Sequence, residues 1–264
     1  MNSKKLKIIA EFGKVYQKKC LYYEKTQEQL QNSLKQNWYE ALKFFFSKSF
    51  MQGRRDEISI DFLRKTIQVL DRLNFERNLL VFTQNENWEI ILEKELKEGG
   101  VNKQTDRRMV ISTIKLILKL NDYNLINYSL GKIQSQNIEE IYRELLDELP
   151  SVGHKIASFF LRDLVCVFNL NLPPEQQIFL QPIDTWVGHV LEKFNITQSC
   201  EIDEIIKKGN KRLLWEIRRR IIKKCQDAQI SSIGFNQGSW YIGKHAFDIL
   251  LENLDKISKK RVDP

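Results

Sequence analysis

Apolar residues recur three and four apart along most of this chain, and no stretch sustains the strict alternation of a half-buried strand. Over 56–74, Ile60, Leu63, Ile67 and Leu70 keep that spacing behind Asp56-Glu57, acidic residues suited to a helix start. Over 105–121, Val110, Ile114, Leu116, Leu118 and Leu120 form a wider stripe, as for a central helix, with Thr105-Asp106 as its expected cap. Gly99-Gly100 closes a helix over 86–97, and Asn137 opens another over 138–147 with Ile138, Ile141 and Leu145 on one face. Further helices are expected over 6–31, 38–51, 154–168, 185–195, 211–224 and 239–254. The expected fold class is all-α. One irregular segment, Asn169 to Pro182 with Pro173-Pro174 inside it, reads as a long loop.

Composition narrows the function classes. With 264 residues the chain can bury a core as one domain or two lobes, and 11 Gly with 5 Pro argue against low-complexity linkers and against a turn-rich all-β design. Its 42 Lys and Arg against 34 Asp and Glu leave a net charge of +8, a modest pointer to a polyanionic partner. Cys20, Cys166, Cys200 and Cys225 form no Cys-x-x-Cys, and His154, His189 and His245 show no ligand spacing, so no zinc, iron–sulfur or other metal site is expected. Reduced thiols in a cytosolic protein fit that pattern. Met1-Asn2-Ser3-Lys4-Lys5 leads into charged residues and not an apolar core, so no secretory signal is read. The most apolar window, Phe159 to Leu172, is interrupted by Arg162-Asp163 and is too short to cross a bilayer. The expectation is a soluble cytoplasmic protein, not secreted and without a membrane partner.

Chemistry concentrates in two short strings. In Leu149-Pro150-Ser151-Val152-Gly153-His154-Lys155, a helix ends at Leu149, Pro150 cannot continue it, and Gly153 suits positive φ or a close backbone approach. The next helix starts near His154, so its outward N–H groups make a seat for a phosphate, contacts that position a duplex without reading its sequence. Lys155 stands in the first turn behind that seat, either as a surface lysine or as an amine nucleophile. Downstream, Pro182-Ile183-Asp184-Thr185-Trp186 places an aspartate ahead of Val187, Val190 and Leu191. Asp184 is a good N-cap, and a capping carboxylate is held rigidly enough for catalysis too.

These residues resemble the helix–hairpin–helix (HhH-GPD) DNA glycosylases, which include endonuclease III and the 8-oxoguanine glycosylases. Their hairpin reads Leu-Pro-x-Val-Gly-x-Lys-x-Ala and is followed by a Val-Asp-Thr-His-like string. This chain has Leu149-Pro150-Ser151-Val152-Gly153-His154-Lys155-Ile156-Ala157, then Ile183-Asp184-Thr185-Trp186-Val187. The likeness is close over about 149–191 and general elsewhere. It departs from the family in a longer separation of Lys155 and Asp184, which holds the Pro173-Pro174 loop, and in lacking the iron–sulfur cysteines of the endonuclease III branch. The archaeal-type 8-oxoguanine enzymes are therefore the nearest in kind.

The resemblance implies a two-lobed, all-helical glycosylase with its cleft between the lobes. The chain ends, 1–50 and 168–264, would form one lobe carrying Asp184, and 51–167 a central lobe ending in the hairpin. It implies base excision of an oxidised purine, 8-oxoguanine above others, from double-stranded DNA by a monomer associated with the nucleoid in a prokaryote. Lys155 would attack the sugar C1′ and form a Schiff base, and β-elimination would follow. Asp184 would stabilise positive charge on the sugar and assist proton transfer. Pro150, Ser151, Val152, Gly153 and His154 would hold the DNA backbone. No organic cofactor is implied, although the hairpin carbonyls suit a monovalent cation.

A damaged base must be flipped out of the duplex to be reached. Gly234-Phe235-Asn236-Gln237-Gly238-Ser239-Trp240-Tyr241 gathers rings and amides for such a pocket, and Asn236 and Trp240, four apart, share a helix face. Core aromatics and a turn at Gly238 are the plainer reading of the same string. The archaeal-type enzymes carry an acid where this chain has Asn236. Phe159 and Gln52 are further candidate base contacts, and one of Phe159 and Phe160 is expected in the core. Over 207–224, basic residues including Arg218 surround a buried stripe of Leu214, Ile217 and Ile221 on the outer face of one helix. Two rival functions stay open: a non-enzymatic DNA-binding protein that uses the hairpin as a phosphate clamp, and a monofunctional glycosylase with Lys155 a bystander.

Overall fold

Short polar side chains ahead of apolar runs start several helices in this protein. Asn37 accepts from the N–H groups of Tyr39 and Glu40 at 2.8 and 3.0 Å, and Asn124 accepts from Ile126 and Asn127 at 2.9 and 3.1 Å. The structure, a computed structural model, describes residues 3–245. Its described helices are α1 (Ser3–Tyr16), α2 (Gln27–Gln36), α3 (Trp38–Ser49), α4 (Asp56–Arg72) and α5 (Phe75–Thr83). There follow α6 (Trp88–Glu98), α7 (Gln104–Leu118), α8 (Leu125–Gln134), α9 (Ile138–Glu148) and α10 (His154–Val167). The last are α11 (Pro174–Gln177), α12 (Thr185–Lys193), α13 (Ser199–Lys208), α14 (Lys211–Asp227) and α15 (Ser232–His245). No strand occurs among the described residues, and none of the described helices is long and apolar enough to cross a membrane.

The chain divides into two compact units, Met1–Glu28 with Leu161–Pro264, and Gln29–Phe160. The resemblance implies divisions near 50 and 168; here they fall at 28/29, inside α2, and at 160/161, inside α10.

The middle unit packs around aromatic rings. Phe45, Phe46, Phe50 and Phe160 are fully buried, with Phe45 and Phe160 edge to face at 5.1 Å between centroids. Two expectations change here. The spacing predicts Ile60 on the inner face of α4, yet Ile60 is 52% exposed while Ser59, Thr66, Val69 and Leu70 are buried. Arg54 Nε donates to Ser59 Oγ at 3.2 Å, which turns Ser59 inward and its neighbour out. Thr105-Asp106 does not cap α7 either: the helix starts at Gln104, and Asp106 is buried as the ion-pair partner of Arg54 at 2.5 Å.

The other unit is built on α1 and α15. Where the spacing predicts one helix over 6–31, α1 passes into a π-helical turn, Gln17–Leu21, and the chain bends before α2. Where it predicts a helix over 239–254, α15 already begins at Ser232, and the part beyond His245 lies outside the described residues. The glycines that suggest a turn are inside the helix because the backbones meet there. A Cβ on Gly238 would overlap the Ile9 carbonyl oxygen, and one on Gly13 would overlap that of Gly234. Gly238→Ala is expected to cost about 3 kcal/mol or more, since backbone cannot step aside as a side chain can. Gly153→Ala meets nothing within 4 Å and is expected to stay within about 0.5 kcal/mol. Urea midpoints measure both, and equal midpoints would remove the close-packing argument.

The segment after α10 is not a loop throughout. α11 and a 3₁₀ turn, Ile178–Leu180, fill it, and Gln177 Nε2 donates to Leu172 O at 2.7 Å. Four short or weakly periodic helices, α5, α8, α11 and α13, escape a search for long stripes.

The four cysteines form no disulfide: Cys20 and Cys200 are exposed, Cys166 is half-buried and Cys225 buried. Burial pushes the Cys225 thiol up to about 12 and raises that of Cys166 as well. Thiolate is the reactive form, so native protein titrated with a thiol reagent at neutral pH should show Cys20 and Cys200 reacting promptly and the other two only on unfolding. Four equally fast thiols would contradict the burial.

Candidate active site

The hairpin closes through one backbone bond, Val152 N–H to Leu149 O at 3.1 Å. Pro150 in second place and Ser151 in third, at φ 65°, give the pattern of a type II turn. The special backbone position is thus Ser151, not Gly153 as the sequence suggests. Gly153 has an ordinary φ and is exposed, with open space where a side chain would stand. Its smallness keeps the approach to the helix start clear. Leu149 and Val152 are buried anchors, while Pro150 and Ser151 face solvent.

Ala157 N–H donates to Gly153 O at 3.0 Å and opens α10, and the amides ahead of it are those that a helix start leaves without intrahelical partners. His154 serves the hairpin from its side chain: its Nδ1 lies 2.8 Å from the Tyr142 hydroxyl and its ring stacks on Tyr142, joining α9 to α10. Lys155, second residue of α10, is half-buried between His154 and the buried Ile156 and Ala157.

One turn on, Phe160 takes the core place and Phe159 is half-buried. Sequence reasoning passed over Lys48, a buried lysine whose Nζ lies 5.0 Å from the Phe44 ring centroid and 5.2 Å from that of Phe159. Its signal is the position four after Phe44, one helical turn away. Gln52 is half-buried past the end of α3 and accepts from Lys103 Nζ at 3.3 Å. The hairpin, Lys155, Phe159 and Gln52 belong to the middle unit.

Asp184, Asn236 and Trp240 belong to the other. Asp184 is the N-cap of α12, as the string Asp-Thr-Trp-Val suggests, its Oδ1 accepting from Val187 N–H at 3.0 Å. It is half-buried, between buried Ile183 and exposed Thr185. Trp240 is half-buried, edge to face with Tyr16 at 5.6 Å, with Lys244 Nζ 4.8 Å from its ring centroid.

Asn236 lies fully inside. Its Oδ1 accepts from Arg162 Nη1 at 2.8 Å and its Nδ2 donates to Pro182 O at 3.0 Å. The shared face with Trp240 therefore runs from interior to half-open surface, and no exposed amide supports the pocket role expected of Asn236.

Around Asn236 stands a buried polar network absent from the sequence reading. Arg162 Nε donates to Asp163 Oδ1 at 2.9 Å and Nη2 to the Tyr16 hydroxyl at 2.9 Å. Tyr16 donates to Asp163 Oδ2 at 2.6 Å, and Gln237 Nε2 to Asp163 Oδ1 at 3.2 Å. Burial first, and then the Asp163 carboxylate, push the Tyr16 pKa up, so the hydroxyl keeps the proton that it donates. The signal was an Arg-Asp pair inside an apolar run: charges in such a window are buried as partners or not at all.

The basic face needs one correction. Leu214, Ile217 and Ile221 are buried as expected, but Arg218 is buried with them, its Nε donating to Gln181 O at 2.9 Å. A guanidinium can satisfy a loop carbonyl in the interior because its other donors remain for further partners. Lys211, Arg212, Arg219, Arg220 and Lys223 are exposed, with Arg220 on Glu201 and Arg212 on Glu216. Among the described residues no group of His, Cys, Asp and Glu is arranged to hold a metal ion.

No family model and no solved structure matches the chain. An uncharacterized protein of Methanocaldococcus jannaschii is 32% identical over 118 residues, 42% of this chain. The match spans only 26% of that relative's own length.

Proposed function

We propose that this protein is a DNA glycosylase with AP lyase activity, a two-lobed member in kind of the helix–hairpin–helix enzymes, acting on an oxidised purine in duplex DNA. The observation that carries the reading is the hairpin: a type II turn with an unobstructed glycine, a helix start directly behind it, and Lys155 in that helix's first turn. Two buried anchors and the His154–Tyr142 contact fix the turn, so a phosphate meets a prepared seat.

In this mechanism Lys155 Nζ, as free amine, attacks C1′ of the damaged nucleotide. The glycosidic bond breaks, its electron pair leaves with the base, and the base takes up a proton. The bound sugar opens to an iminium, a C2′ proton is lost, and the C3′–O bond breaks. The proposed mechanism asks Asp184 to stabilise the sugar's developing positive charge and to move protons. One of its oxygens is held by the α12 cap, and a carboxylate has lone pairs for a second partner. For an extruded base the proposed mechanism calls on the ring faces of Trp240 and Phe159 and the amide of Gln52. Asn236 is left out of that set.

The test is borohydride trapping on a duplex carrying one 8-oxoguanine, with an abasic-site duplex beside it. A covalent complex on both supports lesion and mechanism together. DNA affinity without any trapped species would sink the lyase reading and leave the phosphate clamp or, if free base appears, the monofunctional enzyme.

A further inference from the structure

α15 grips the approach to α12 at two points. Asn236 Nδ2 donates to Pro182 O at 3.0 Å, and seven residues on, Gly243 lies so close that a Cβ there would come within 2.7 Å of the Trp186 carbonyl oxygen. Pro182 and Trp186 bracket Asp184 two residues to either side. The cap bond to Val187 orients the Asp184 carboxylate on α12, but it does not hold the non-helical entry, Gln181-Pro182-Ile183, whose residues are all buried.

The Asn236 amide has only one workable sense. Arg162 Nη1 approaches its Oδ1 at 2.8 Å, and a guanidinium has no acceptor. The Pro182 carbonyl has no proton to give. Oxygen must therefore face Arg162 and nitrogen must face Pro182. Asp163 and Tyr16 hold the guanidinium in turn, and at 0% exposure no solvent molecule reaches Asn236 from the surface to stand in for it.

We infer that Asn236 is a positioning residue for Asp184: its bond to Pro182, kept in one sense by Arg162, fixes the backbone that delivers the carboxylate. This rests on the glycosylase and lyase reading for its catalytic consequence, and it gives Asn236 a role other than base contact.

Asn236→Asp keeps the size and the acceptor facing Arg162 and, as the carboxylate paired with that guanidinium, loses the donor to Pro182. Asn236→Ala is the second variant. The first readout is amide hydrogen exchange over residues 182–190. Exchange at Val187 is expected to quicken about tenfold or more in both variants while residues 149–157 keep their protection. Unchanged exchange at Val187 overturns the inference whatever the activity.

The second readout is single-turnover rate on two duplexes, one with 8-oxoguanine and one with an abasic site. A displaced Asp184 slows both by a similar factor, about tenfold to a hundredfold, with DNA affinity kept. Slowing on 8-oxoguanine alone would make Asn236 a base contact, because an abasic site has no base to lose, and the inference would fail. Cys225→Ala, a buried change elsewhere in the same unit, is the control. If it lowers the thermal midpoint equally and slows the enzyme equally, general loosening explains the loss and the inference falls. A parent inactive on both duplexes removes the proposed function instead, and the exchange data still decide whether Asn236 holds Pro182.

Discussion

Under the proposed mechanism Lys155→Gln is expected to abolish borohydride trapping and to slow strand cleavage at an abasic site on the order of a thousandfold or more, because the lysine amine is the imine nitrogen in that mechanism. DNA affinity should change little, since the amides at the start of α10 and the turn at Ser151 are backbone features that the substitution leaves in place. Lys155→Arg sharpens the result. It keeps a cation beside the phosphate seat but carries no amine that can be deprotonated in a protein. Both variants losing the covalent complex while binding the duplex within a few-fold of the parent would assign the chemistry to the amine and not to the charge. Strand cleavage by Lys155→Gln at the parental rate would end the Schiff-base mechanism. The half-burial of Lys155 beside buried Ile156 and Ala157 makes the glutamine easy to accommodate, so lost activity would not be lost folding.

Arg162→Met is expected to destabilise the protein by about 3–5 kcal/mol, the usual cost of stripping one partner from a buried ion pair. The substitution removes hydrogen bonds to Asp163, Tyr16 and Asn236 at once and strips the guanidinium from a carboxylate in the interior, to which Tyr16 and Gln237 still donate. Asp163→Asn added to Arg162→Met removes the stranded charge and should recover part of the loss. A double-mutant cycle by urea unfolding measures that coupling. Additive losses would mean that the two side chains do not act as a pair.

The two results bear on what the sequence could disclose. Asp184 was legible because a cap is a local affair: the residue and the N–H it binds lie three apart. The turn and the helix start that puts Lys155 in its first turn were legible for the same reason, a proline, a glycine and a lysine within seven residues. The network around Arg162 was not, because Tyr16 meets Asp163 across 147 positions and Arg162 meets Asn236 across 74. On α4 the spacing held for Leu70 but failed near the helix start at Ile60, where a polar contact, Arg54 to Ser59, outweighed it. The start of α15 was missed because glycine reads as a breaker until a second backbone is laid against it. The turn at Ser151 was assigned to the nearest glycine, since a serine in the left-handed region gives no sign of itself in a sequence.

The joining of α1 to α15 has a consequence for how the chain matures on the ribosome. Residues 29–160 emerge in one piece as a compact unit, so that unit can begin to fold while synthesis continues. α1 emerges earlier still, yet the helix against which its Gly13 fits is more than two hundred residues downstream. Its apolar side, with Leu6 and Ile9, must wait uncovered throughout that interval. α1 is thus a segment exposed to chaperones and to misassociation during that interval, and a ligand that stabilises the finished protein does nothing for it until Gly238 has been made.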